Sequence, residues 1–327
     1  MTVIDIHTHM LDRTWIDLLR RHGGPRYAMG PITDALEGIY RDGDLFMTPM
    51  PGHFDYALRL RDMDAAGVDM AIVSLTCPNV YWGGEAISVE AARAVNDGMA
   101  QAQAEHPDRI RWLASLPWEY PERAVAELER ACAAGAVGVM VLANVAGRHL
   151  TDPDFAPIWQ AIDDRALPVL VHPTEPPGAA AMDMKKYSLA STVGFMFDTT
   201  LAITRMIFDG FLDRYPNAKI IAAHAGATVP YLAGRMDRSY EMTVPGAETI
   251  DASPSEYLRR LYYDAVTFQR DALEMCIAAG GVERMMYGAD YPHDIGDMKG
   301  CLARVDALPA DQSEAVRWRN AARVFGL

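Results

Sequence analysis

Eight short apolar runs alternate with longer amphipathic segments, and this alternation constrains the fold more than any other feature of the chain. The runs cover residues 3–6, 70–75, 111–116, 137–142, 168–171, 219–223, 261–264 and 284–288. Between them lie segments whose apolar residues recur at spacings of three and four, as in helices, such as 54–66, 86–106, 121–134, 157–165, 199–215 and 271–279. Eight strands that alternate with helices predict an α/β fold, a (β/α)8 TIM barrel.

One segment does not fit this alternation. Residues from about 12 to 51 are rich in Gly, Pro and Met, and we interpret them as a small insertion over the barrel mouth after strand one. The chain shows no linker, repeat or low-complexity stretch that would divide it. We therefore expect residues 1–327 to form a single domain, whose composition of 50% apolar residues supplies a large core.

The charge, hydropathy and cysteine content of the chain argue against several classes of partner and indicate a cellular location. A net charge of −14 disfavours nucleic acid and anionic membranes as partners, and no apolar stretch is long enough to cross a bilayer. The first strand begins at once, so we expect no secretory signal peptide. The four cysteines are scattered without CxxC spacing, which is typical of reduced thiols. These features predict a cytoplasmic protein.

Polar residues stand at the ends of four of the predicted strands. His7 and His9 follow the first run, His172 the fifth, His224 the sixth and Asp290 the eighth. Each could be an ordinary turn or loop residue, because His-x-His pairs and Asp before Tyr-Pro occur in turns. The carboxyl ends of barrel strands share one rim, however, so the five side chains together indicate a divalent metal site.

Longer motifs surround these residues. They are IDIHTH at 4–9, RDMDAAGV at 61–68, VHP at 171–173, FLDRYP at 211–216, AHAGA at 223–227 and GADYP at 288–292. Together they resemble one branch of the amidohydrolase superfamily, the 2-amino-3-carboxymuconate-6-semialdehyde decarboxylase-like proteins, over nearly the whole chain. The resemblance implies an amidohydrolase-like TIM barrel and an enzyme that depends on a metal.

The resemblance also implies roles for the strand-end residues. His7, His9, His172 and Asp290 would bind one divalent metal per subunit, and His224 would be the catalytic base that activates metal-bound water. The fourth strand contains no lysine to bridge a second metal. Zinc suits three imidazoles and a carboxylate best, and manganese is the alternative.

The reaction implied by the resemblance is nonoxidative decarboxylation, with His224 and Asp290 available for the proton transfers. The alternative is a metal-dependent hydrolase or hydratase, which would act on a small carbonyl, ester, lactone or unsaturated acid. A third interpretation is a metal-binding or sensing protein without catalysis, for which His224 would have to be dispensable.

Departures from the family pattern concern the substrate. The decarboxylase that names the branch has an arginine before the 54–66 segment, where residues 45–53 contain none, and two tryptophans where this chain has Ser188 and Ser191. We therefore expect a different substrate, a small aromatic or unsaturated carboxylic acid. The predicted contacts to it are His53, Phe195, Arg235, Arg238 and His293, although His53 and His293 could equally be ordinary loop residues. Family members pair near the barrel mouth, which implies a homodimer.

Overall fold

The computed structural model describes residues 2–34, 36–242 and 250–327. Its strands are β1 (Ile4–His9), β2 (Tyr27–Thr33), β3 (Leu36–Arg41), β4 (Asp44–Met47), β5 (Met70–Ser74), β6 (Ile110–Ser115), β7 (Gly138–Leu142), β8 (Asn144–Val145), β9 (Arg148–His149), β10 (Pro168–His172), β11 (Lys219–Ala222), β12 (Tyr262–Asp264) and β13 (Met285–Met286).

Eight of these strands form a nearly closed parallel barrel in the order β1-β5-β6-β7-β10-β11-β12-β13. The last strand meets the first where the Ile6 N–H donates to the Tyr287 carbonyl at 3.0 Å and Thr8 bridges to Tyr291. Every residue of β7 and β10 is buried, as expected for parallel strands that are covered on both faces. The predicted TIM barrel is confirmed.

Helices surround the barrel. The longer ones are Arg13–His22, Tyr56–Ala66, Gly84–Glu105, Pro121–Ala133, Ala156–Asp163, Phe195–Phe208, Val229–Glu241, Arg270–Gly280, Met298–Asp306 and Asn320–Phe325, and shorter ones are Phe211–Arg214, Pro254–Tyr257 and Ala310–Glu314. The prediction of one continuous helix over 199–215 is wrong. Gly210 has a φ of 65°, a left-handed conformation that ends one helix and starts the next.

The segment after β1 forms a helix and then the antiparallel sheet β2-β3-β4. An ion pair of 2.5 Å between Arg41 Nη1 on β3 and Glu175 Oε2 joins this sheet to the loop after β10. The sheet therefore lies at the carboxyl ends of the barrel strands, as the predicted insertion over the mouth requires. That the whole chain is one domain remains a prediction. Within the described ranges, no helix combines the length and apolar character needed to cross a membrane.

Candidate metal centre

Four barrel strands bring the predicted site residues together at one rim. His7 and His9 lie on β1 two residues apart and so share a face, His172 ends β10, and His224 and Asp290 follow β11 and β13. The ligand atoms of His7, His172, His224 and Asp290 all lie within 4.8 Å of one another. His9 Nε2 is 3.1 Å from Asp290 Oδ1. All five side chains are therefore close enough to surround one small ion.

The hydrogen bonds of three rings occupy Nδ1 and leave Nε2 on the side of the metal centre. His7 Nδ1 is 2.6 Å from Asp264 Oδ2, His172 Nδ1 is 2.8 Å from the carbonyl oxygen of the next residue, and His9 Nδ1 is 3.0 Å from a carbonyl oxygen after β5. Because these acceptors have no hydrogen, Nδ1 must donate and Nε2 carries the lone pair. Within the described part of the chain, the buried Nε2 atoms of His7 and His172 have no partner. This is the usual arrangement of metal-binding histidines, so the residues fit a divalent metal.

Two ionised carboxylates give the centre negative charge. Burial opposes ionisation of Asp290, but the close approach of the His224 and His9 imidazoles outweighs it and holds its pKa well below the ordinary value. Burial also opposes ionisation of Asp264, and the charge and hydrogen bond of His7 outweigh it, so its pKa is lowered as well. Buried negative charge on this scale is costly unless a cation compensates for it.

Burial acts in the opposite direction on the histidines. It holds the pKa of His172 well below its ordinary value and lowers that of His9 to about 3. These rings are therefore neutral, which is the form that binds metals. In His7, burial lowers the pKa, but the carboxylates of Asp264 and Asp290 outweigh it and raise the pKa. A metal ion at Nε2 would take the place of that positive charge.

His224 and Asp290 have strained backbones. Their φ angles are 55° and 57°, in the left-handed region that residues other than glycine rarely adopt. The carboxylate of Asp264 holds the backbone of His224 in place, because Oδ2 accepts the His224 N–H at 2.9 Å. Strain of this kind is concentrated at functional sites.

The geometry does not separate the predicted base from the predicted ligands. His224 Nε2 lies 3.5 Å from Asp290 Oδ2, at the same distance as His7 Nε2 lies from Asp290 Oδ1. His224 Nδ1 is buried and has no partner among the described residues. Its role as base, with His7, His9, His172 and Asp290 as ligands, remains a prediction.

Two more of the predicted residues lie beside this centre. The ring of His293 is 4.9 Å from that of His9, and the ring of His53 is 4.9 Å from that of His293. Ligand atoms of His9, Asp290 and His293 form a second compact group within 4.8 Å. His293 therefore adjoins His9, and His53 adjoins His293.

The remaining predicted contacts lie elsewhere in the chain. Phe195 is half-buried at the start of its helix and packs against the core. Arg235 is exposed on the helix Val229–Glu241, and Arg238 of the same helix is exposed and ion-paired with Glu241 at 2.9 Å. Neither arginine takes part in the described hydrogen bonds of the histidine cluster.

Sequence reasoning missed Asp264, which organises the centre. It is fully buried, and its two oxygens accept hydrogen bonds from His7 Nδ1 and from the backbone N–H groups of His224, Ala225 and Val266. Its position at a strand end could have identified it, because Asp264 ends the seventh barrel strand just as His172 ends the fifth.

Arg59 was also missed. It is fully buried, and its guanidinium donates to Thr8 Oγ1 at 2.6 Å and to the His9 carbonyl oxygen while lying over the Tyr291 ring. These contacts hold the end of β1 against the loop that follows β13. No local pattern in the sequence distinguishes this arginine from the exposed ones.

Comparisons with known proteins identify the family of the chain. A 2-amino-3-carboxymuconate-6-semialdehyde decarboxylase of Dictyostelium discoideum is 29% identical over 300 residues, which are 90% of this chain and 83% of that protein. The crystal structure of 5-carboxyvanillate decarboxylase LigW from Sphingomonas paucimobilis is 28% identical with a TM-score of 0.86, covering 100% of this chain and 99% of that one. A 5-carboxyvanillate decarboxylase from Novosphingobium aromaticivorans, solved with manganese, shares the fold at 24% identity and a TM-score of 0.86, covering 100% and 96% of the two chains. The sequence profile of one family, described as amidohydrolase, matches residues 4–327, and the chain therefore belongs to the amidohydrolase family.

Proposed function

We propose that this protein is a metal-dependent decarboxylase of a small aromatic carboxylic acid. The observation that carries the proposal is the convergence of His7, His172, His224 and Asp290 within 4.8 Å at the barrel mouth. Relatives with 29% and 28% identity are decarboxylases, of an aminocarboxymuconate semialdehyde and of 5-carboxyvanillate. Both substrates are unsaturated or aromatic acids.

We assign the metal to His7, His9 and His172 through Nε2 and to Asp290 through its carboxylate. When bound, a divalent metal supplies a Lewis acid that holds substrate oxygens and stabilises negative charge. Asp264 fixes the ring of His7 through Nδ1, at 2.6 Å. Zinc remains our first choice from the donor set, with manganese as the alternative.

The reaction needs a proton donor as well as a cation. Decarboxylation breaks the bond between the ring carbon and the carboxylate, CO2 departs, and the electron pair left on carbon must take up a proton. We assign this proton transfer to His224, the predicted base, which would deliver to carbon a proton that it has first taken up. Its backbone is held by Asp264 at 2.9 Å, and its ring faces Asp290 at 3.5 Å. A general acid or base in such a position contributes about 10²–10⁴-fold in rate.

The mouth insertion supports an aromatic rather than a strongly polar substrate. Its strand β4 carries the buried Met47 and the half-buried Phe46, whose ring lies 6.1 Å from that of Tyr27. Trp82 packs against Trp15 in the core, with the two ring centroids 5.9 Å apart.

Release of CO2 tests the proposal directly. The protein is loaded with zinc or with manganese, and a panel of hydroxybenzoates and muconate-like acids is supplied while evolved CO2 is captured. We expect CO2 from at least one acid, and His172→Ala should lose both the stoichiometric metal and the activity. Turnover that incorporates water and releases no CO2 would establish the hydrolase or hydratase alternative instead.

We further propose that the protein is a homodimer. Phe197 and Leu201 lie one turn apart on one helix and are 42% and 44% exposed, and Tyr231 on the helix Val229–Glu241 is 76% exposed. The two helices are adjacent, because the hydroxyls of Thr200 and Thr228 are 2.7 Å apart. Together they form an apolar face suited to a second copy of the chain.

Light scattering at micromolar concentration tests the dimer. A mass near 36 kDa with full activity would contradict it, because 36.0 kDa is the mass of one chain. In such a dimer we assign Arg235 to the carboxylate of the substrate in the partner's site, with Arg238 as the alternative. Unchanged KM and kcat in Arg238→Ala would exclude Arg238. We also propose a cytoplasmic location, because all four cysteines are free thiols.

A further inference from the structure

We infer that His53 donates a hydrogen bond from Nε2 to an oxygen atom of the substrate, in a subsite that it forms with His293 beside His9. The inference rests on the proposed function, since it concerns the acid that this site binds. In this inference the neutral imidazole of His53 recognises a second oxygen substituent on the aromatic ring of the substrate, separate from the carboxylate that leaves as CO2.

The hydrogen-bond partners of His53 define its tautomer. The backbone N–H of Met50 donates to His53 Nδ1 at 2.9 Å, so Nδ1 is an acceptor and carries no hydrogen. The side chain is fully buried, and burial lowers its pKa to about 2, which keeps the ring neutral. In a neutral imidazole with an unprotonated Nδ1, the hydrogen is on Nε2.

This donor has no partner within the chain. His53 Nε2 is buried and makes no hydrogen bond to any described residue. Buried donors in folded proteins are almost always satisfied, so an unsatisfied one beside a candidate active site indicates a bound water or ligand. The hydrogen on Nε2 therefore has no acceptor until the site binds a ligand.

The position of the donor is close to the metal centre and well defined. The ring centroid of His293 lies 4.9 Å from that of His9 and 4.9 Å from that of His53. His293 Nε2 is held by Thr76 Oγ1 at 3.0 Å. The His53 carbonyl accepts the Leu11 N–H at 2.7 Å, which ties its turn to the end of β1.

The turn that carries His53 also packs tightly against the loop of Asp290. A Cβ added to Gly52 would lie 2.4 Å from the hydroxyl of Tyr291 and 2.9 Å from Cβ of Pro292. The donor is therefore held rigidly on a packed turn, so little conformational freedom is lost when it binds an oxygen.

A rigid N–H donor selects among aromatic acids. A hydroxylated ring can place an oxygen beside this donor, whereas an unsubstituted ring would leave the donor unpaired. Loss of a hydrogen bond to a charged or partly charged oxygen costs roughly 10- to 100-fold in affinity. We therefore expect the site to prefer a hydroxybenzoate to benzoate by that factor.

The test measures binding rather than turnover. Dissociation constants of benzoate and of 2-, 3- and 4-hydroxybenzoate are determined by calorimetry for the metal-loaded wild type, His53→Phe and His53→Gln. Phenylalanine keeps a ring without a donor, while the glutamine amide can present an N–H near the position of Nε2. The preference for the best hydroxybenzoate should disappear in His53→Phe and survive in part in His53→Gln, with metal content unchanged in both.

A second measurement does not depend on the variants. Nitrogen-15 NMR of the histidine rings of the wild type should show His53 as the Nε2–H tautomer, with a shift of that signal when the hydroxybenzoate binds. An Nδ1–H tautomer, a retained preference in His53→Phe, or no binding of any of the four acids would overturn the inference. Binding with the expected preference but no release of CO2 would refute the proposed decarboxylation and leave the subsite intact.

Discussion

The replacement Asp264→Asn should weaken metal binding, because one carboxylate positions both a candidate ligand and the candidate base. Oδ2 of Asp264 accepts from His7 Nδ1 at 2.6 Å and from the His224 N–H at 2.9 Å. Oδ1 accepts from the N–H groups of Ala225 and Val266 at 3.1 and 3.0 Å. An asparagine has one oxygen, so its amide N–H2 must face one of these two pairs of donors.

Either orientation of the amide is unfavourable. If the amide faces His7, that ring must move its hydrogen from Nδ1 to Nε2, which removes the lone pair that we assign to the metal. If it faces the backbone of residues 225 and 266, the turn that carries His224 loses two hydrogen bonds. Loss of two bonds to a charged group costs about 3–6 kcal/mol of stability. Loss of an outer partner of a metal ligand costs about 10- to 100-fold in metal affinity.

The measurement is metal affinity by competition with a graded chelator, together with urea unfolding of the metal-free protein. Asp163→Asn is a matched control, because Asp163 is also buried and accepts the backbone N–H groups of Asn217 and Ala218 at 2.7 and 3.0 Å. These N–H groups lie just before β11, and Asp163 ends the helix before β10, at the amino ends of the barrel strands. Asp163→Asn should therefore lower stability and leave metal affinity intact. Equal metal affinity in Asp264→Asn and the wild type would refute the reasoning.

Three further predictions concern other parts of the protein. His224→Asn should keep stoichiometric metal and lose about 10²–10⁴-fold in kcat, and a near-normal kcat/KM would remove His224 from the mechanism. Burial raises the pKa of Asp198 to about 6, so the folded chain holds a proton there that the unfolded chain has lost. The contribution of Asp198 to the free energy of unfolding in urea should therefore fall by about 2–3 kcal/mol as pH rises from about 4 to 6, whereas the contributions of the buried neutral histidines rise over the same range. Asp198→Asn should therefore make stability increase more steeply with pH than in the wild type, and an unchanged slope would contradict the reasoning. Gly52→Ala should cost about 1–3 kcal/mol in urea unfolding, because the new Cβ would contact the hydroxyl of Tyr291, and wild-type stability would contradict the packing.

The barrel fold and the residues at the carboxyl ends of its strands could be predicted from the sequence, because both depend on local patterns. Runs such as 168–171 indicate buried parallel strands, and a residue just after such a run, such as His172, lies at the carboxyl end of its strand. Barrel topology then brings these ends together, whatever the loops do. The same reasoning, applied to the seventh strand, would have found Asp264.

Only the tertiary structure decided which atom of each ring faces the centre. That choice depends on hydrogen-bond partners distant in the chain, since His7 and Asp264 are 257 positions apart. It also depends on close contacts within turns, such as the Met50 N–H that leaves the hydrogen of His53 on Nε2. A strand pattern specifies at which end of the barrel a side chain lies. Which nitrogen of a histidine carries the hydrogen depends on the acceptors and donors that folding places around the ring.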